Sequence, residues 1–312
     1  MKKKYLSSLL FLAAAIFWGF AFAAQKQAAV VPAFTLCVIR YLLAGSFLFL
    51  VIPFMDKLRG TGRHFITKRG VDFTRGELIG GAVCGTVLAI ASTLQQSGLG
   101  EGTDAGKAAF ITALYVLIVP IFSLTIGKRS PFNVWVGVVI AVVGFYLLCI
   151  KSDFSIAPSD LLVLICAVVF ALHIMVIDRF SPGTDGVRLS CIQFFTAFVL
   201  TTPIALITEG APNLEIILSV LPAILYFGIC SGGLGYTLQI VGQGMDGVNP
   251  AVASIIMSLE SVFGVLGGAI FLGEKMSARE YIGCAVVFLA VVISQLDMTD
   301  IKARLAGRKK ES

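Results

Sequence analysis

Residues 249–275, NPAVASIIMSLESVFGVLGGAIFLGEK, form an apolar stretch with Glu260 near its centre. A helix of about 20 such residues, rising 1.5 Å per residue, crosses a hydrocarbon core about 30 Å thick. Because a carboxylate at that depth is costly to insert, Glu260 should face protein or a watery cavity and hold a proton or a partner. Gly264 and Gly268 follow on the same face, where they let a neighbouring helix approach closely. The stretch therefore predicts a transmembrane helix with an acidic centre turned towards the protein interior.

The composition of the whole chain predicts a polytopic membrane protein. Of 312 residues, 57% are hydrophobic and 13% are charged, and the mean hydropathy is +0.94. A soluble domain carries about 25% charged residues, which form the shell around its core, and this chain has no such shell. The net charge is +6, but the basic residues cluster in loops between apolar segments. The positive-inside rule explains this distribution better than binding to nucleic acid does, so no nucleic-acid partner is predicted.

The residues that build metal, disulfide or catalytic sites do not form recognisable motifs. All seven cysteines fall in apolar segments without a CxxC pair, which favours packing over disulfide or metal roles. The chain contains no GxxxxGK[ST], HExxH or GxSxG pattern. We therefore predict no metal, no cofactor, no catalytic residue and no ATP hydrolysis, and the protein is not expected to be an enzyme.

Hydropathy predicts ten transmembrane helices, numbered here as spans 1 to 10. Their approximate ranges are 5–24, 33–55, 77–97, 105–126, 131–150, 159–177, 187–207, 216–240, 249–275 and 278–295. The first range imitates a signal peptide, with Lys2-Lys3-Lys4 before an apolar run and Ala21-Phe22-Ala23 as a possible cleavage site. Because an apolar run of about 20 residues is long for a signal peptide, we interpret it as span 1.

The distribution of lysine and arginine predicts the orientation. Ten spans place both termini on one side, and most basic residues lie in the tails and in the loops after even-numbered spans, including the basic loop 56–76. The exceptions are Lys26, Lys107, Lys151, Lys275 and Arg279. The sequence therefore predicts a multi-pass protein of the cytoplasmic (inner) membrane with both termini in the cytoplasm.

The two halves of the chain resemble each other. The pattern TLQxxG at residues 93–98 recurs at 237–242, and the glycines at 127 and 137 recur at 273 and 283 after matching apolar residues. Each half contains five spans, and an odd number requires the halves to be inverted in the membrane. We predict repeats at 1–152 and 153–298 and a basic tail at 299–312. Inverted repeats are typical of secondary transporters, whose site lies near the midplane between the repeats.

Several short segments together resemble the EamA branch of the drug/metabolite transporter superfamily. They are Trp18-Gly19, Arg40, AAFITALYVLIVP at 108–120, SLESVF at 258–263 and LGEK at 272–275. The resemblance covers nearly the whole chain. It implies an all-α fold of ten transmembrane helices as two inverted five-helix repeats, which carries small metabolites by alternating access. The family's substrates include amino acids, nucleosides, drugs and sugar conjugates, so the resemblance implies a class of function without a substrate.

Two positions depart from the family pattern. The first-half turn reads Gly127-Lys128 where the family usually has Gly-Glu, which makes the matching of that turn less certain. Ser261 follows Glu260 where many members have proline, which predicts a less kinked span 9.

Arg40 and Glu260 are the main candidates for a solute-binding site. Arg40 keeps its charge, so it either anchors a substrate carboxylate, pairs with Glu260, or snorkels to the headgroups. Glu260 either exchanges protons during transport or serves as a structural carboxyl group bonded to Ser or Thr.

Seven further side chains are candidate lining residues of a pathway: Trp18, Gln95, Lys107, Tyr115, His173, Gln193 and Gln239. Lys107 could belong to an outer gate or meet an anion, with snorkelling as the alternative, and His173 could move protons or be satisfied by helix contacts. The glutamines suit polar or zwitterionic solutes or helix-to-helix bonding, and the aromatic residues suit cavity lining or packing. Asp178, at the end of span 6, is expected to be solvated.

The leading hypothesis is a secondary active transporter, monomeric or homodimeric, with a pathway between spans 1–4 and 6–9. Its expected partners are the lipid bilayer and a small polar or amphipathic metabolite, with amino-acid export first and proton coupling through Glu260. A lipid flippase is the alternative within transport. The alternatives from other classes are a membrane enzyme acting on lipid-linked intermediates and an assembly subunit without transport.

Overall fold

The computed structural model describes residues 2–60, 66–67, 70–103, 105–149, 157–273 and 275–296. In these ranges nine helices are long and apolar enough to cross a membrane, and the shorter apolar helix Phe132–Leu147 occupies the place of span 5. The predicted all-α membrane fold with ten spans is therefore confirmed. Part of the loop 56–76, residue 274 of the LGEK turn and the basic tail lie outside the described residues.

The first three helices are longer than their hydropathy suggests. Span 1 is Lys2–Gln27 with a short 3-10 turn at Ala28–Val30, span 2 is Ala33–Arg59, span 3 is Arg75–Gly100, span 4 consists of Ala105–Ala113 and Tyr115–Thr125, and span 5 is Phe132–Cys149. Between spans 2 and 3, the two-residue strands Ile66–Thr67 and Gly70–Val71 pair antiparallel, with Ile66 opposite Val71.

The second half repeats this order of helices. Span 6 is Pro158–Phe180 and span 7 is Gly186–Thr208, followed by a short helix at Leu214–Ser219. Span 8 consists of Leu221–Leu225, a π-helix at Tyr226–Tyr236 and Thr237–Gln243. Span 9 consists of Pro250–Met257 and Glu260–Leu272, and span 10 is Ala278–Gln295. We call the end of the bundle where span 1 begins and span 10 ends the terminal face, and the other end the opposite face.

The packing of the spans follows the predicted relation between the halves. Span 2 packs on span 7 and span 5 on span 10, while span 1 packs on spans 8 and 9 just as span 6 packs on spans 3 and 4. The same set of contacts results when each span number is replaced by the number of the matching span in the other half. Because spans 2 and 7 run in opposite directions, the halves are related by a twofold axis in the membrane plane, as in other inverted-repeat proteins.

Carboxylates join spans 2 and 7 at both faces. At the terminal face, Arg188 donates to both carboxylate oxygens of Asp56, at 2.8 and 2.6 Å, and both side chains are buried. At the opposite face, Glu209 accepts from the backbone N–H groups of Phe34 and Thr35, at 2.8 and 2.7 Å, and from the Thr35 hydroxyl. In each half, a carboxylate at the end of one span therefore binds the first residues of the span that packs against it.

Two predictions about this loop region and about span 6 are wrong. Asp56 belongs to span 2, which continues to Arg59 and ends at Gly60 with φ +58°, so the loop begins later than predicted. Asp178 is buried instead of solvated, because Lys128 from the turn after span 4 lies 2.5 Å from its carboxylate.

The prediction that span 9 is less kinked than in members with proline stays a prediction, and the helix is interrupted at Ser258 and Leu259. Ser254 and Ser258 bond back to the carbonyls of Ala251 and Ile255, at 2.8 and 2.7 Å, and the Leu259 N–H turns to Ile256 O at 3.1 Å. Serine hydroxyls that bond three residues back compete with the helical ladder and favour tighter 3-10 geometry. The break therefore needs no proline.

Candidate solute-binding cavity

A buried cavity lies at the middle of the bundle, between spans 1, 2, 3, 4, 6, 8 and 9. Its lining residues are Trp18, Phe22, Gln25, Arg40, Gln95, Thr112, Tyr115, Phe170, His173, Ile174, Ser231, Tyr236, Gln239, Met257 and Glu260. Its free volume is about 40 Å³. A cavity of that size holds a few water molecules at about 10–15 Å³ of free volume each, so a larger solute requires the spans to separate.

Arg40 places a positive charge at this cavity. Its side chain is 3% exposed, and the guanidinium lies 4.1 Å from the centre of the Phe227 ring and 5.4 Å from that of Tyr236. The Nε atom has no hydrogen-bond partner among the described residues. Stacking on aromatic faces stabilises a guanidinium, yet the Nε–H donor remains available to an anion.

Glu260 places a carboxyl group at the same cavity. It is the first residue of the second half of span 9, is 6% exposed, and its Oε1 atom has no partner in the described part of the chain. Span 1 approaches this turn closely at Gly19, where an added Cβ would lie 2.7 Å from the Glu260 carbonyl oxygen. Within the described ranges, Arg40 and Glu260 form no ion pair, although they line one cavity.

Tyr236 connects the aromatic residues of the site. Its ring centre lies 4.9 Å from that of Trp18 and 5.8 Å from those of His173 and Phe194. Trp18 in turn donates its indole N–H to Ser231 O at 3.1 Å, within the π-helix of span 8. A π-helix has wider turns than an α-helix and often marks functional sites. Sequence reasoning missed Tyr236, although it directly precedes the repeated TLQxxG pattern.

The predicted glutamines make hydrogen bonds within the bundle. Gln95 donates to Thr112 Oγ1 at 3.1 Å, and Gln239 donates to Gln243 Oε1 at 3.0 Å. The Oε1 atom of Gln239 has no partner among the described residues, so it can accept a hydrogen bond from a solute.

His173 and Gln193 also form a pair. Gln193 Oε1 lies 2.9 Å from the His173 Nε2 atom. His173 lines the cavity and Gln193 supports it from behind.

Lys107 lies away from the cavity, at the opposite face. It forms an ion pair with Asp160 at the start of span 6, and the Thr103 hydroxyl donates to the same carboxylate at 3.1 Å. Of the predicted site residues, the cavity therefore gathers Trp18, Arg40, Gln95, Tyr115, His173, Gln239 and Glu260.

Gln25 is a second lining residue that sequence reasoning missed. Its Oε1 atom is buried without a described partner, and a polar residue at the end of an apolar run was the signal available. Within the described residues, no three His, Cys, Asp or Glu side chains lie together in a way that could hold a metal ion.

Comparisons with known proteins agree with this architecture. The model of the EamA-like transporter family matches the chain twice, over residues 6–150 and 157–295. An "Uncharacterized transporter" of Archaeoglobus fulgidus is 31% identical over 286 residues, which cover 90% of this chain and 83% of that protein. "Protein PecM" of Dickeya dadantii is 23% identical over 194 residues, or 61% of this chain and 64% of that protein.

A solved crystal structure also superposes on the chain, with a TM-score of 0.74. The match covers 93% of this chain and 95% of that one at 16% sequence identity, and at that identity it shows the fold alone. The double family match and the relative from Archaeoglobus fulgidus extend over nearly all of the sequence. The chain is a member of the EamA-like transporter family, within the drug/metabolite transporter superfamily.

Proposed function

We propose that this transporter carries small zwitterionic metabolites, with amino acids first, and that Arg40 and Glu260 hold the two charged ends. The observation that carries the proposal is that a guanidinium and a carboxyl group line one buried cavity without pairing with each other. A buried charge without a partner is costly in a membrane interior. A solute with a carboxylate and an ammonium group would satisfy both.

Each half of such a solute meets suitable chemistry. Its carboxylate would accept hydrogen bonds from Arg40, which recognises carboxylates through a planar set of donors. Its ammonium group would donate to Glu260 and to Gln239 Oε1. Because the free volume is only about 40 Å³, the solute would enter when the spans separate on one face and leave when they separate on the other.

Proton antiport follows from the same geometry. When the solute leaves, Glu260 loses its ammonium partner, and a proton replaces the positive charge in the buried site. The next solute displaces that proton. Exchange of one cation for another at a single carboxyl group couples export of the solute to entry of protons.

The distribution of charge supports a cytoplasmic terminal face. The described basic residues at the ends of the spans there are Lys57, Arg59, Arg75, Lys128, Arg129, Arg179 and Arg188. Lys26, Lys107, Lys275 and Arg279 lie towards the opposite face. By the positive-inside rule this bias supports cytoplasmic termini, and with them export of the solute across the inner membrane from the terminal face.

Uptake by proteoliposomes after a pH jump tests the proposal, with a mixed pool of labelled amino acids. We expect flux driven by the gradient in the wild type, a loss of at least tenfold for Glu260→Gln, and a similar loss for Arg40→Gln. The exposed carboxylate Glu215 provides the matched control, because Glu215→Gln removes the same charge outside the bundle.

Two results would contradict the proposal. If Glu260→Gln transports like wild type regardless of the pH gradient, the carboxyl group does not couple protons. If folded wild-type protein carries no amino acid, zwitterionic amino acids are excluded, and nucleosides, drugs and lipid translocation are tested next.

A further inference from the structure

Positions in the two broken spans can be matched residue by residue. Their first halves begin at Ala105 and Pro250, and their second halves begin at Tyr115 and Glu260, the same number of residues apart. On this spacing, Lys107 in span 4 is matched by Val252 in span 9.

Spans 1 and 6 can be matched through the central cavity. Trp18 and Phe22 of span 1 line it, and so do Phe170 and Ile174 of span 6. Phe170 follows Trp18 in the sequence by the same number of residues as Ile174 follows Phe22. The same spacing matches Asp160 with Ser8. The ion pair between Lys107 and Asp160 therefore has a counterpart position at the terminal face, between Val252 and Ser8.

The opposite face is closed at this position. Lys107 and Asp160 connect the start of span 4 to the start of span 6, and the Asp160 side chain is 3% exposed. Asp160 also accepts from Thr103 Oγ1 at 3.1 Å and from the Ala157 N–H at 2.7 Å. The turn before span 4 and the starts of both helices are therefore held together by one carboxylate.

The terminal face has a cavity at the matched position. Its volume is about 320 Å³, and both Ser8 and Val252 line it. The other lining residues come from the ends of spans 1, 5, 9 and 10 and from the turn before span 9: Ser7, Phe11, Pro131, Asn133, Val134, Asp246, Gly247, Val248, Asn249, Ile256, Ser294, Gln295 and Leu296. Six of the fifteen lining residues carry a hydroxyl or amide group, and Asp246 carries a carboxyl group.

The inner end of this second cavity reaches towards the central one. Ile256 lines the second cavity and the next residue, Met257, lines the central cavity. Phe11 also lines the second cavity, and it packs so closely on span 8 that a Cβ at Gly242 would lie 2.6 Å from its ring. Phe11 and Ile256 are both buried, and of the two cavities each lines only the second.

From this difference between matched positions, we infer that the second cavity is a vestibule for the transported solute and that the Lys107–Asp160 pair is the gate of the opposite face. The inference rests on the proposed function in one respect, that the solute passes through the central cavity. In the conformation described, the terminal-face vestibule is open down to Phe11 and Ile256, and the opposite face is shut by the ion pair.

Thiol labelling tests the inference without any substrate. Ile111 and Ile256 occupy matched positions on the two half-helices and are both buried. Ile111→Cys and Ile256→Cys are each labelled in purified protein with a small charged methanethiosulfonate, and modification is measured by mass spectrometry of the peptide that carries the new cysteine. We expect Ile256→Cys to react at least tenfold faster than Ile111→Cys.

Removing the ion pair at the opposite face and building one at the terminal face should change the two labelling rates in opposite directions. Removing both partners with Lys107→Val and Asp160→Ser leaves no unpaired buried charge, and it should speed labelling of Ile111→Cys at least tenfold. Building the pair at the terminal face with Ser8→Asp and Val252→Lys should slow labelling of Ile256→Cys by a similar factor. The conservative pair Lys107→Arg with Asp160→Glu keeps the ion pair and should leave both rates unchanged.

Equal labelling rates of Ile111→Cys and Ile256→Cys in the otherwise unchanged protein would overturn the assignment of the second cavity as a vestibule. An unchanged rate at Ile111→Cys after removal of the pair, in monodisperse protein, would overturn the gate. Absence of amino-acid flux would count against the proposed substrate and leave these labelling results intact, so the two failures are distinguishable.

Discussion

Tyr115 and Glu260 occupy matched positions at the breaks of spans 4 and 9, and both side chains line the central cavity. Each residue begins the second half of its broken helix. The first repeat therefore contributes a phenol to the central cavity, and the second repeat contributes a carboxyl group to it from the opposite direction. Broken helices near the midplane are a recurrent way to build transporter sites, because the interrupted backbone faces a cavity instead of lipid.

The buried pair Asp56–Arg188 should be among the strongest single contributors to stability when one partner is removed. Asp56→Asn leaves the Arg188 guanidinium, which is 1% exposed, with only the longer contact to Asp185 at 3.6 Å as a charge partner. We expect a loss of about 3–5 kcal/mol in the free energy of unfolding, measured by denaturation in mixed micelles.

The matched control for this pair is Arg59→Gln. It breaks an ion pair with Asp185 in which the Arg59 side chain is 38% exposed, and we expect a loss of at most about 1 kcal/mol. Replacing the buried pair by Leu and Met should recover most of the loss, because the cost comes from a buried charge that has lost its two close hydrogen bonds. Equal effects of Asp56→Asn and Arg59→Gln would contradict this explanation.

Glu209 should stabilise the start of span 2. Glu209→Ala removes the acceptor for two backbone N–H groups and for the Thr35 hydroxyl. Loss of a helix cap costs about 0.5–2 kcal/mol, and we expect the upper part of this range because both N–H groups lose their partner. Thermal unfolding in detergent measures the change. Glu215→Gln, on the exposed short helix, should change stability by less than about 0.5 kcal/mol.

Gly19 should be intolerant of any side chain. A Cβ at this position would lie 2.3 Å from Phe263 Cβ and 2.7 Å from Glu260 O, so Gly19→Ala must push spans 1 and 9 apart. We expect a loss of about 1–3 kcal/mol from overpacking, together with lower transport, because the turn that carries Glu260 moves.

Gly264→Ala tests the same pair of spans at a roomier position, where the nearest atom would be a Phe22 ring carbon at 3.3 Å. We expect a change of less than about 1 kcal/mol in thermal unfolding. A Gly19→Ala protein as stable as Gly264→Ala would show that the two spans are not held this closely.

Tyr236 should matter through its ring rather than its hydroxyl group. Tyr236→Phe keeps the aromatic contacts with Trp18, His173 and Phe194, and we expect near wild-type stability and flux. Tyr236→Leu removes these contacts and the ring beside Arg40. Aromatic and cation–π contacts contribute about 0.5–1.5 kcal/mol each, so the leucine variant should lose about 1–3 kcal/mol of stability and most of its flux. Loss of flux in Tyr236→Phe would instead assign a role to the hydroxyl group.

Hydropathy alone gave the number of spans, because a helix in lipid must satisfy its own backbone and must show an apolar exterior. It could not give the breaks. At the interruption in span 9, serine hydroxyls bond back to nearby carbonyls, and span 4 is interrupted at the matched position without serines; neither break leaves a mark on an apolar profile. The absence of proline after Glu260 predicts a straighter helix, yet span 9 is interrupted just before that residue, at Ser258 and Leu259.

The candidate site shows a similar division. Arg40 and Glu260 were visible in the sequence because charge inside a span is costly wherever the span packs. Lys107 looked equivalent to them, yet it lies near the opposite face with Asp160, since its place depends on where span 4 begins. Tyr236 carried no such signal, because an aromatic residue in a span packs as readily against lipid or another helix as in a site.

The sequence by itself therefore determined the membrane class, the ten spans, the inverted halves and the two buried charges, since each follows from the cost of transferring polar groups into lipid. Only the tertiary structure decided which polar groups meet. It joined Asp56 to Arg188 and Lys107 to Asp160, and it kept Arg40 and Glu260 apart around one cavity. Such pairings depend on distances between segments far apart in the chain, and those distances are fixed by how the helices pack.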